Sequence, residues 1–190
     1  MAEEHGQVRD EELDAEREAR RQLALAQIRQ WPDPALRMQA HEVESFDDDL
    51  RGLVERMKAL MADANGVGLA ATQVGVLRRV FVFRHGDEED GVVEAVVNPV
   101  LAEHGEEMLE DEEGCLSLQG VRVPVERHMA VTLEGRNESG EPVRLELADR
   151  DARVAQHELD HLLGVLILDR TTPEGRREAL AVLRPHLVLR

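Results

Sequence analysis

A chain of 190 residues and 21.3 kDa has room for one domain with a sizeable core, and its 42% share of hydrophobic residues marks it as globular. A formal net charge of −17, with 2% aromatics and no tyrosine, argues against specific DNA binding, since the chain repels phosphate backbones and has few rings to stack on bases. The single cysteine, Cys115, excludes an intrachain disulfide; no apolar run approaches a membrane span and the polar, acidic start lacks signal-peptide features, so the cytoplasm is the expected location.

Residues 1 to about 30 hold eight acidic and five basic side chains. We expect the first ten to be disordered and Glu11 to Gln30 to form a surface helix, so that residues 1–27 are a charged extension and 28–190 a single domain. Trp31-Pro32-Asp33-Pro34 breaks that helix. Phe46, Leu50, Leu53, Val54, Met57, Leu60 and Met61 then recur at helical spacing, with Ser45 as the expected cap and Asn65-Gly66 as the stop. Short β-type runs follow at Val80–Phe83, Val92–Val97, Gln119–Val125, Met129–Leu133 and Val143–Leu147, with Gly135 to Gly140 as a hairpin loop. Between them, Asp87 to Glu113 carries twelve acidic residues and no Lys or Arg, which reads as a solvated surface. A further helix ends at Gly164. The apolar run Val165 to Leu168 and a tail helix around Glu174 to Leu183 close the chain. Helices and strands are segregated, without βαβ alternation, which predicts an α+β fold with mostly antiparallel sheets.

The helix before Gly164 contains Gln156-His157-Glu158-Leu159-Asp160-His161. Positions i and i+4 share a helix face, so both imidazoles can reach one ion while Glu158 lies beside it as a proton carrier. Ala152, Ala155, Leu159, Leu162 and Leu163 fill the opposite face, as a core-facing helix requires, and Val154 stands beside the histidines. A catalytic site of this kind needs a third protein ligand. A histidine ten residues after the first would supply it in one class of metalloprotease, but Ile167 occupies that place. Glu174 and Glu178 on the tail segment are alternatives, as is Cys115, although a lone cysteine is more often a small buried hydrophobe.

Two other segments bear on the choice. Glu113-Gly114-Cys115-Leu116-Ser117 and Gly66-Val67-Gly68-Leu69-Ala70-Ala71-Thr72-Gln73, taken in order with the histidine motif, resemble the peptide deformylases, hydrolases that remove the formyl group from the N-terminal methionine of new polypeptides. The resemblance runs from about Ile28 to Arg170. It implies a deformylase-like fold with a central metal-binding helix, and Cys115, His157 and His161 as ligands of one divalent ion. Ferrous iron is the family's common ion, which zinc, nickel or cobalt can replace on purification. It further implies Glu158 as general acid and base, Gln73 and the Leu116 N–H as donors to the reacting oxygen, and Gly68 and Arg122 as substrate contacts. The implied partners are N-formyl-Met nascent peptides, with transient ribosome contact; a monomer is the default expectation. Gln119 and Glu126 stand where the family pattern has prolines, which bears on peptide preference.

The chemistry has its own logic. A divalent ion held by one thiolate and two imidazoles lowers the pKa of bound water, and an amide-splitting site then needs a base and oxyanion donors. A purely structural metal site would need neither Glu158 nor Gln73. An endopeptidase is disfavoured by Ile167.

Overall fold

Two antiparallel sheets carry the β-rich middle of the chain in this computed structural model, which describes residues 2–87 and 91–184. The larger sheet has the order β1 (Gly68–Ala70), β2 (Val80–His85), β3 (Val92–His104), β6 (Ala130–Arg136), β7 (Pro142–Ala148). The smaller pairs β4 (Met108–Gly114) with β5 (Arg122–His128). Helix α1 spans Ala2–Leu25, α2 Asp48–Asp63, α3 Asp149–Leu162, α4 Ile167–Arg170 and α5 Pro173–Leu183. This is the expected α+β architecture.

Period-2 alternation explains why the large sheet is buried on both faces. On β2, Val80 and Val82 pack with Leu50, Val54 and Met57 of α2. Phe81 and Phe83 point the other way, into a cluster with Ala152, Ala155 and Leu162 of α3. At ~25 cal/mol per Å² of apolar surface removed from water, burying each phenylalanine contributes on the order of 2–3 kcal/mol. The small sheet has its own core, in which Val121, Val123 and Val125 meet Leu166, Ile167, Leu168 and Ala179. Helix α3 lies between these two layers and is covered almost all round.

Helix α3 ends as its sequence requires. Gly164 adopts φ 72°, the Val165 N–H donates to the Asp160 carbonyl at 2.9 Å and the Gly164 N–H to that of His161 at 3.1 Å, the paired bonds that close a helix C-terminus. A side chain here would also strike the Arg37 carbonyl, 2.5 Å from an ideal Cβ. Leu163, expected on the core face, is instead 40% exposed, because the helix has already ended at Leu162.

Several boundaries differ from expectation for identifiable reasons. Helix α1 begins at Ala2, within the stretch expected to be disordered, and stops at Leu25 rather than Gln30. Asp47, not Ser45, caps α2; its side chain accepts the Leu50 N–H at 3.0 Å, and Asp48 and Asp49 complement the helix dipole. Strand β5 starts at Arg122, later than Gln119, and β6 runs on to Arg136, so the hairpin loop is shorter than expected. Strand β4 was hidden by its composition: Met-Leu-Glu-Asp-Glu-Glu-Gly reads as a solvated acidic run, and six of its seven residues are indeed exposed. The exception, Glu113, is buried.

Candidate metal centre and active site

Strand β4 delivers Cys115 to the core, and α3 delivers both histidines to the same point. The Cys115 Sγ lies 3.2 Å from His161 Nε2, which is 3.2 Å from His157 Nε2. The three candidate donor atoms fall within 4.8 Å of one another. Bonds of about 2.0–2.3 Å at tetrahedral angles set sulfur and nitrogen donors about 3.3–3.6 Å apart, so this separation fits one small cation. Two Nε2 atoms facing each other cannot both carry protons, which again suits lone pairs converging on a cation. Neither Glu174 nor Glu178 belongs to this group.

The His157 ring is oriented by a buried ion network. Its Nδ1 lies 3.0 Å from Glu113 Oε2, and Glu113 accepts from Arg127 Nε at 2.9 Å and Nη2 at 3.0 Å, and from Arg153 Nη1 at 2.8 Å. Arg127 also donates to Asp160 at 2.6 Å, and Asp160 takes a further 2.6 Å bond from Arg170 of α4. Burial pushes the Glu113 carboxyl up, but hydrogen bonds from His157 and Arg127 outweigh it and hold the pKa at about 2. A permanent carboxylate on Nδ1 fixes the proton there and turns Nε2 towards the cation. Burial also opposes protonation of His157, yet its bonds to Cys115 and Glu113 raise its pKa well above the imidazole norm. His161 is held well below it by burial and by the positive charges of His157 and Arg127, in the neutral form a ligand needs.

Glu158 stands beside this cluster, 3% exposed, and its Oε2 has no hydrogen-bond partner among the described residues. Burial raises its pKa to about 7, the Glu113 charge adds to the rise, and the positive charge of His157 partly offsets it. Gly68 leaves the space that Glu158 occupies: an ideal Cβ there would sit 2.2 Å from Oε1. Gln73, on the turn after β1, has its Oε1 held by the Ala70 N–H at 2.8 Å. That leaves Nε2 facing Ser117 Oγ at 3.1 Å and Cys115 Sγ at 3.7 Å. The Leu116 carbonyl accepts from Gln30 Nε2 at 3.0 Å, fixing the chain beside Cys115.

A cleft of about 530 Å³ opens onto these groups, and its lining includes Gly68, Gln73, Cys115, Leu116, Arg122 and Glu158. His161 lies deeper, 1% exposed. Arg122 is exposed at the cleft edge and donates to the Glu112 carbonyl at 3.0 Å. The structure thus brings all eight sequence-selected residues to one region. Gln119 and Glu126 are exposed and line no part of the cleft. What the sequence reading overlooked is the network behind His157. Its signal was Arg127, a charge in the core-facing register of Val121, Val123 and Val125, where a cation persists only when paired.

Comparison with known proteins agrees with this geometry. The polypeptide deformylase family model matches residues 25–177. A peptide deformylase of Acidothermus cellulolyticus is 48% identical over 162 residues, covering 85% of this chain and 87% of that protein. One from Thermotoga maritima is 45% identical over 152 residues, covering 80% and 90%. The crystal structure of a Legionella pneumophila peptide deformylase superposes with a TM-score of 0.76 at 38% identity, covering 82% of this chain and 91% of that one. With the match spanning both sheets and α3, the chain belongs to the polypeptide deformylase family.

Proposed function

We propose that this protein hydrolyses the formyl amide of N-formyl-Met polypeptides, releasing formate and a free amino terminus. One observation carries the reading: a buried carboxylate, Glu158, with a pKa near neutrality stands beside a Cys-His-His cluster, and the Gln73 amide faces the same cluster. A closed structural metal site has use for neither.

Cys115, His157 and His161 would hold the ion. Bound there, a divalent cation supplies Lewis acidity towards water and towards a carbonyl oxygen. The mixed sulfur and nitrogen donor set suits ferrous iron, which we take as the native ion, and equally accepts zinc, nickel or cobalt. Glu158 takes the proton of the attacking water as its oxygen bonds to the formyl carbon. The Gln73 Nε2–H and the Leu116 N–H donate to the carbonyl oxygen as it becomes an oxyanion. Glu158 then passes its proton to the departing nitrogen as the C–N bond breaks. Gly68 lets the substrate backbone approach Glu158, and Arg122 holds the peptide at the cleft edge. We assign catalysis to residues 28–190, with 1–27 as an accessory extension, and regard the protein as a cytoplasmic monomer that meets nascent chains by transient ribosome contact. Among the described residues, no helix is long and apolar enough to cross a membrane.

The test is formate release from a formyl-Met tripeptide by protein loaded with iron without oxygen. We expect turnover of that peptide and none of its acetylated counterpart or of internal bonds. Cleavage of internal bonds instead would make the protein an endopeptidase.

A further inference from the structure

Gln73 can donate to an oxyanion only if its amide is held in one orientation, and the Ala70 N–H fixes no more than its oxygen end. A primary amide carries two N–H groups, and its last torsion is broad, so the nitrogen end needs its own restraint. Ser117 provides one. Its side chain is fully buried, its Oγ lies 3.1 Å from Gln73 Nε2, and its backbone is pinned on both sides. The Ser117 N–H donates to Cys115 Sγ at 3.4 Å and its carbonyl accepts the Trp31 N–H at 2.9 Å.

We infer that Ser117 is a positioning residue: its hydroxyl accepts one Gln73 N–H and so aims the second at the oxygen of the scissile formyl group. The second N–H meets only the long 3.7 Å contact to Cys115 Sγ, which leaves it available to shorten onto a developing negative charge. Without the hydroxyl, one buried N–H loses its acceptor and the amide can turn to find another. Burial prevents bulk water from replacing Ser117. The effect belongs to the transition state, because a neutral formyl oxygen gains less from a fixed donor than an oxyanion does. This rests on the deformylase reading.

Ser117→Ala should lower kcat about tenfold with KM within about twofold and one metal per chain, a fraction of what deleting an oxyanion donor outright costs. In a Gln73→Ala background the same change should cost less than about twofold, because the group it orients is gone. Thr and Val are nearly isosteric, so Ser117→Thr should exceed Ser117→Val about tenfold even if both repack the site. In zinc-loaded, ¹⁵N-labelled protein, the Gln73 side-chain protons should exchange faster with solvent in Ser117→Ala than in the wild type. Full kcat in Ser117→Ala, an equal cost with and without Gln73, or Thr and Val variants of equal activity would each overturn the assignment. A wild type that releases no formate would sink the deformylase reading instead, while the Gln73 exchange rates would still report whether Ser117 holds the amide.

Discussion

The proton-carrying role proposed for Glu158 requires a pKa close to the working pH. Burial places it at about 7, and a bound cation favours the carboxylate and moves it lower. Below that pKa the group is protonated and cannot accept a proton from water, so kcat/KM should rise with pH along an acid limb at or below about pH 7. A limb centred well above 7 would contradict this role. The pKa of Glu113 is shifted the opposite way. Its folded pKa of about 2 lies below the ordinary 4.5, so its contribution to stability is present above pH 4.5 and lost as pH falls through 2. Glu113→Gln should therefore destabilise the protein at pH 7 by about 3 kcal/mol. Denaturant titrations of the two proteins should converge between pH 4.5 and 2. The same variant should bind metal about 10–100-fold more weakly, because His157 loses the partner that sets its tautomer.

At the scale of elements, the site depends on how closely β1 approaches α3. Gly68→Ala puts a methyl group where Glu158 now lies, and neither the buried strand nor the buried helix can move away cheaply. We expect kcat/KM to fall at least about 100-fold while the variant still folds and binds metal; activity within tenfold of wild type would mean that Glu158 adjusts freely. Helix α3 was legible in the sequence because two signals coincided, the His-Glu-x-x-His spacing and a core-facing apolar stripe. Strand β4 was not, because strand periodicity is read from apolar side chains and β4 has almost none facing inward. Glu113 opens the motif around Cys115, but the acidic run before it gives no sign that its side chain is buried. Only its pairing with Arg127, across a hairpin that the sequence did not reveal, identifies it as buried. The register is visible in retrospect: Glu113 faces Val123, and Arg127 follows Val125 on the same side of β5.

Across the whole molecule, the side chains described for α1 meet the core only near its end, where Ala24 and Leu25, with Ile28 just beyond, join the α2 cluster. From Leu13 to Arg20 its side chains are exposed, and its ion pairs are exposed i,i+3 and i,i+4 contacts of small worth. Deleting residues 2–20 should leave kcat/KM within about twofold and cost less than about 1 kcal/mol in denaturant titrations; a larger loss would place the extension within the catalytic unit. Metal uptake should couple two elements, because its ligands come from the end of β4 and from α3. Because the raised pKa of His157 favours its protonated form before metal binds, cation binding should release protons and tighten as pH rises, which calorimetry in buffers of different ionisation enthalpy would read. In the proposed mechanism Glu158 moves the proton while other residues hold the ion. The sharpest check is formate release by Glu158→Gln, measured together with its metal content. We predict one ion per chain and a kcat at least about 1000-fold below wild type; a fully loaded variant within tenfold of wild type would contradict the claim.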